Sequence, residues 1–168
     1  MEPTWMTNLI KALEYEELLI GNLVAIGREK TDLLKRNKPM DLPAVTVKEE
    51  AVVEQMNQLE KVRQQLNAKA AEQLGVTEPN PTISTLCAKL EPQAAERLGA
   101  MRDKLRAAME TLRQQNALNA ELLQQSLDYV NFNLQLLARP TSSTPRYGRG
   151  GRDISDTGPT RSMMDLRS

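Results

Sequence analysis

The feature that most constrains the fold is a long stretch in which nothing stops a helix. Between Pro92 and the Arg139-Pro140 dipeptide there is no further proline, and Gly99 is the single weak point. Pro92 suits the first turn of a helix, because its missing N–H would be unpaired there anyway. At 1.5 Å per residue the predicted helix is roughly 70 Å long. A helix of this length must find partners of comparable length.

Two earlier segments predict such partners. The first helix runs from about Trp5 to Arg36, with a buried stripe at helical spacing formed by Met6, Ile10, Leu13, Ile20, Val24 and Leu34. The prolines of NKPMDLP remove backbone donors and predict a connector at 37–45. The second helix then begins at Thr46, because Thr46 and Glu49 form a capping-box pattern. It ends at Gly75, a residue that tolerates positive φ.

A short helix lies between the second and the last long helices. Thr82 caps it after the turn VTEPNP, and it carries Ile83, Leu86 and Leu90. The sequence therefore predicts an all-α fold, an elongated antiparallel bundle of three long helices plus one short helix. Its last helix is longer than its partners unless it bends. Residues 1–138 form the helical domain, and residues 139–168 form a disordered tail rich in Arg, Gly and Ser.

Composition excludes several functional classes. The 22 basic and 22 acidic residues give no net pull toward nucleic acid, and the single RGG-like match RYGRGGR (146–152) is too short to outweigh that balance. Aromatic residues are 3%, too few for an ordinary β or α/β core. No apolar run is long enough to insert in a membrane, and the N-terminus lacks the basic start of a secretion signal. The lone Cys87 fits a reducing cytoplasm.

Catalysis is not expected either. The chain has no histidine, so there is no imidazole base, and Cys87 has no Cys or His partner for zinc. No glycine-rich phosphate loop precedes a helix. The carboxylates alternate with Lys and Arg, which is typical of a solvated helix face. We expect no catalytic residue, no metal and no cofactor.

The last helix has two apolar faces. On a helical wheel one band about 100° wide has the width of a core stripe, and it contains Leu98, Met101, Leu105, Ala108, Met109, Leu112, Asn116, Asn119, Leu123, Leu127, Val130, Leu134 and Leu137. Its asparagines cost stability but can fix the register of a seam. A second band lies a quarter to half a turn away and begins only after residue 117. We name these side chains the second band: Leu118, Leu122, Tyr129, Phe132 and Leu136.

Three partners could cover the second band. The first helix carries apolar residues off its main stripe that could reach it, namely Leu19, Leu23, Ile26 and Leu33. A second copy of the chain could pair with it. An amphipathic helix of another protein could lie along it. The sequence leaves open whether the second band is a binding groove or intramolecular core.

A family resemblance favours the third partner. The last helix carries the pattern N-x-x-N-x-x-L-L-x-x-x-L (116–127), the first helix ends with EKTDLL (29–34), and Tyr147-Gly148 follows the last helix. This combination resembles the FlgN family of flagellar export chaperones, small helical proteins with a long N-terminal helix and a disordered tail.

The resemblance implies a specific role. Members of the family hold the C-terminal helical segment of hook–filament junction proteins in the cytoplasm, prevent premature assembly and deliver these clients to the export gate of the flagellar type III apparatus. Applied to this chain, it implies that the second band binds the client and that Tyr147 and Gly148 dock at the export gate. The alternative is a structural coiled-coil adaptor or self-associating subunit with no role in export.

Overall fold

A computed structural model describes residues 3–139 of the chain. Four α-helices follow in order, α1 (Thr4–Lys35), α2 (Leu42–Leu74), α3 (Ile83–Cys87) and α4 (Pro92–Ala138), and a 3-10 turn at Pro39–Asp41 joins the first two. No strand occurs within 3–139. The predicted all-α fold of three long helices plus one short helix is confirmed. Apart from Arg139, the predicted tail lies outside the described residues.

The predicted start of the second helix is wrong. α2 begins at Leu42, four residues before the expected cap, with Pro43 in its first turn. Proline needs no N–H partner there, so the prolines of NKPMDLP do not delay the start of the helix until after residue 45. The Thr46 hydroxyl donates to the Leu42 carbonyl one turn back, at 3.1 Å, as Thr does inside a helix. Glu49 accepts from Lys30 at 2.6 Å instead of capping.

The other predicted boundaries are confirmed, except that α3 ends at Cys87 and does not include Leu90. Gly75 ends α2 with φ 64° and ψ 32°, the left-handed conformation that favours glycine. The Thr82 side chain accepts from the Thr85 amide at 3.1 Å and caps α3. α4 runs without a break from Pro92 to Ala138.

The three long helices alternate in direction. α1 and α2 are antiparallel, because Lys30 pairs with Glu49 at one end and Glu16 lies 3.7 Å from Arg63 further along. α4 runs parallel to α1, since Gln115 donates to the Gly27 carbonyl and, one turn later on both helices, Thr31 donates to Asn119. Up-down-up order is the expected topology of an antiparallel three-helix bundle.

α1 is the central helix. Both α2 and α4 pack on it, whereas no Cα atom of α2 lies within 8 Å of one in α4 among the described residues. α1 therefore buries a wider face than one stripe, including Trp5, Leu9, Leu19 and Leu23 beside the predicted positions. Near the N-terminal end of α1, α3 inserts Leu86 between the long helices. The core cluster there consists of Trp5, Met6, Leu9, Leu13, Ile20, Ala70, Leu86, Leu98, Met101 and Leu105.

α4 is longer than the helix that supports it. Thr31 meets Asn119, a separation of 88 residues. The same separation places Lys35, the last residue of α1, level with Leu123. The fifteen residues 124–138 therefore continue past the end of α1 by about 22 Å at 1.5 Å per residue. We call this segment the overhang.

Candidate functional site

The second band is largely exposed. Leu122 is half-buried, and the other four side chains are exposed at fractions of 40–63%: Leu118, Tyr129, Phe132 and Leu136. A single exposed leucine needs no explanation, but a continuous row of exposed leucine, tyrosine and phenylalanine is typical of an interaction surface.

Part of the expected core stripe is exposed as well. Leu98, Met101 and Leu105 are buried as predicted, and Leu112 is half-buried against the core. Met109 and Asn116, however, face solvent, and so do the five leucine and valine positions from Leu123 onward. The prediction that the whole stripe is core is therefore wrong. From Leu123 onward the physical reason is that α1 ends level with Leu123, so the overhang meets the end of α1 and the connector only around its base.

The first helix does not cover the second band. Leu19 and Leu23 are buried, but by the 88-residue offset they lie level with residues 107–111, well before the band begins. Leu33 alone of the four predicted residues lies beside the band, lining a groove with Leu122 and Tyr129. Phe132 and Leu136 lie further along the overhang and remain exposed.

That groove is the concave part of the surface. It measures about 560 Å³ and lies where the end of α1 and the 3-10 turn meet the base of the overhang. Its walls are mainly apolar, Leu33, Leu34, Pro39 and Leu42 on one side and Leu122, Leu123, Leu127, Tyr129 and Val130 on α4. Lys35 and Lys38 line its edge. An apolar floor with a basic edge suits an amphipathic segment that carries acidic residues beside its apolar ones.

A polar cluster fixes α4 to α1 directly below the overhang. Asn119 donates to the Gly27 carbonyl at 2.8 Å, and Gln115 donates to the Thr31 hydroxyl at 2.6 Å. The Thr31 hydroxyl in turn lies against Asn119 Oδ1 and 2.9 Å from the Gly27 carbonyl. Thr31 and Asn119 are both buried. Because these buried groups satisfy one another in one register only, the cluster sets how far α4 extends past α1.

The cluster was only partly predicted. Asn119 was expected in the seam as a residue that fixes register, and it is. In the sequence, Gly27 and Thr31 weaken the apolar stripe of the first helix without breaking it, and no polar contact was predicted from them. The available signal was their spacing of four residues, which matches the spacing of Gln115 and Asn119 on the facing helix.

The perturbed ionisable groups lie away from the overhang. Hydrogen bonds from Arg113 lower the pKa of Glu110 to about 2, and burial raises the pKa of Glu16, an effect that nearby Arg63 opposes. Burial also raises the pKa of the Cys87 thiol. Within residues 3–139 no cluster of His, Cys, Asp and Glu could hold a metal ion, and no helix is long and apolar enough to cross a membrane.

These features define a helical bundle whose distinctive surface is an exposed apolar face on α4. Comparison with known proteins identifies the family: the model of the family described as FlgN protein matches residues 1–153, so the chain belongs to the FlgN family of flagellar export chaperones. The chain is also 26% identical over 129 residues to a protein of Bacillus subtilis (strain 168) described as uncharacterized protein YvyG, covering 77% of this chain and 78% of that protein. No solved structure matches the chain.

Proposed function

We propose that this flagellar export chaperone binds the C-terminal helical segment of hook–filament junction proteins in the cytoplasm and delivers them to the export apparatus. The observation that carries the proposal is the overhang of α4, which carries exposed apolar side chains and has an apolar groove at its base. Membership of the family supports the class of client.

The second band is the proposed client surface. Its residues are Leu118, Leu122, Tyr129, Phe132 and Leu136, a row along one side of α4 that matches the apolar side of an amphipathic helix. Full burial of such side chains contributes about 1.5–3 kcal/mol each. With partial burial the five supply roughly 5–10 kcal/mol before the cost of ordering the client, enough for a working binding site.

Covering the client explains how premature assembly is prevented. An amphipathic segment that is to pack in a filament exposes its apolar side until it does so, and a chaperone that occupies this side blocks the contact. The proposed complex is held by a reversible apolar interface, with no covalent bond and no cofactor. The client can therefore also be released from the chaperone.

The tail is the proposed delivery element. Tyr147 and Gly148, which lie outside the described residues, are expected to dock at the export gate by analogy with the family. A tyrosine ring provides a large apolar contact at a small cost in rotamer entropy, which suits an anchor on a short segment.

Co-expression with candidate junction proteins, followed by affinity capture of the tagged chaperone, tests the proposal. We expect the intact client to be retained and the client without its C-terminal helical segment to be lost. Retention of the truncated client would show that another part of it is bound and would contradict the proposal.

The competing function is that of a structural adaptor with no client. The same capture experiment separates the two, because an adaptor would retain no junction protein while the purified chain stayed folded, as measured by circular dichroism.

A further inference from the structure

The overhang has a second apolar row, on a different side from the second band. Its spacing of four and three residues is that of a helix–helix seam, and it continues the stripe by which Leu98, Met101 and Leu105 pack on α1. We call it the distal seam: Leu123, Leu127, Val130, Leu134 and Leu137, exposed at fractions of 45–84%. Because the repeat is that of helix packing, its partner is expected to be a helix.

The position of that partner follows from the seam already formed. α4 packs on α1 up to Lys35, and the distal seam faces the continuation of the same axis beyond it. The partner helix therefore lies end to end with α1 and is about as long as the 22 Å overhang. The connector after α1 reaches the base of this place, where Pro39 and Leu42 line a groove with Leu127 and Val130, whereas Leu134 and Leu137 further along are exposed.

We propose that a second copy of this chain occupies it, with the two overhangs packed antiparallel so that each distal seam covers the other. This inference goes beyond the proposed function and does not rest on it.

Antiparallel packing follows from α1 itself. In a parallel pair, the part of the partner's α4 before its overhang would run into the space that α1 already fills. In an antiparallel pair, the part of the partner's α4 before its overhang lies beyond Ala138 of the first subunit. The partner's α4 then ends near the 3-10 turn at Pro39–Asp41 of the first subunit. In the antiparallel pair, residues 126–138 of the two subunits overlap.

The spacing of the distal seam fits this symmetry. When the overhangs overlap, Leu127 lies opposite Leu137 of the partner subunit and Val130 lies opposite Leu134 of the partner subunit, so the same two pairs repeat about a twofold axis. The side chains that flank the seam on α4 are uncharged: Gln124, Ser126, Asn131 and Asn133. No like charges therefore oppose the pairing of identical helices. The interface is short, which predicts a weak dimer that dissociates on dilution.

The outer part of the second band, Phe132 and Leu136, remains open in this dimer, whereas Leu122 and Tyr129 line the groove that the end of the partner's α4 approaches. Phe132 and Leu136 lie more than a quarter of a turn from every residue of the distal seam and face away from the twofold contact. The two surfaces are therefore separable by substitution, which gives a matched pair of variants.

Sedimentation velocity of the full chain over a wide concentration range tests the dimer. We expect the wild-type protein to shift from monomer to dimer as concentration rises. Leu134→Asp, on the distal seam, should raise the dimer dissociation constant by at least ~10-fold, since it puts a charge in an apolar contact. Phe132→Asp is the control with a nearly equal exposed fraction, 57% against 58% for Leu134, and should leave the dimer intact.

Oxidative crosslinking in a Cys87→Ser background tests the orientation. A mixture of Val130→Cys and Leu134→Cys proteins should form a disulfide dimer, whereas each alone should not. Crosslinking of Val130→Cys with itself would indicate a parallel pair and overturn the proposed geometry. A monomer at every concentration, or a dimer that Leu134→Asp does not weaken, would overturn the proposal.

Discussion

Gly27→Ala probes the contact that sets the length of the overhang. Gly27 is buried on α1 where α4 approaches closely, and a Cβ added there would lie 2.7 Å from Gln115 Cγ. That atom lies near the start of the Gln115 side chain, so a turn of its amide end does not relieve the contact. Gln115 would have to adopt another rotamer and lose its 2.6 Å hydrogen bond to the Thr31 hydroxyl.

The expected magnitude is the sum of three effects. Crowding in a packed contact costs about 1–3 kcal/mol. The lost hydrogen bond costs about 0.5–1.5 kcal/mol. Alanine in place of glycine inside a helix raises the free energy of unfolding by about 1 kcal/mol. We therefore expect Gly27→Ala to lower the free energy of unfolding by roughly 0.5–3.5 kcal/mol.

Gly21→Ala provides the matched control. Gly21 lies in the same helix, and a Cβ there meets nothing within 4 Å. This variant should therefore gain roughly 0.5–1 kcal/mol. Urea unfolding followed by circular dichroism measures both, and their difference removes the helix propensity that they share. Equal stability of the two variants would refute a close contact at Gly27, whereas Gln115→Ala added to Gly27→Ala should restore part of the loss.

Three further predictions test other parts of the structure. Glu16→Gln should raise the free energy of unfolding at neutral pH, because burial raises the pKa of Glu16 in the folded protein. This gain should shrink as pH falls through the raised pKa, where the wild-type carboxyl takes up its proton. Urea unfolding at several pH values measures the gain, and a gain that does not change with pH would contradict the prediction. Thr82→Ala removes the cap of α3 and should cost about 1 kcal/mol, while unchanged thermal stability would count against that cap. Tyr147→Ala should reduce motility and export of the junction proteins while the chaperone–client complex still forms, and normal motility would mean that the tyrosine has no part in delivery.

Local rules predicted most helix ends because those ends depend on local chemistry. Gly75 acts through its own backbone angles, Thr82 through a hydrogen bond from the amide three residues further on, and Pro92 through its missing N–H. The start of α2 was missed for a reason of the same kind. Pro43 is equally compatible with a connector and with the first turn of a helix, and the choice between them depends on the packing of α2 against α1.

The extent of the core could not be predicted from the wheel alone. Periodicity shows which side of α4 is apolar, and Leu98 and Leu134 lie on that same side. One is fully buried and the other is mostly exposed, because burial depends on where α1 ends beside α4. That position depends on a register of 88 residues fixed by Gly27, Thr31, Gln115 and Asn119, which only the packed structure shows.

The sequence predicted the second band from the position of its residues on the helical wheel alone. Its exposed fractions agree with a surface that another protein covers, and its role in client binding remains a prediction. Since two apolar rows are exposed on the overhang, a test must distinguish the second band from the distal seam as well as from the core.

The affinity of the chaperone for the C-terminal helical segment of a junction protein tests the central claim most directly. Isothermal titration of that peptide into wild type, Phe132→Asp and Leu18→Asp compares two apolar residues of nearly equal exposed fraction, 57% and 58%, on different helices. We expect Phe132→Asp to weaken binding by at least ~30-fold, the equivalent of losing about 2 kcal/mol of apolar burial. Leu18→Asp should bind as wild type, and both should keep the helical circular dichroism signal. Equal affinity of Phe132→Asp and wild type would contradict the account.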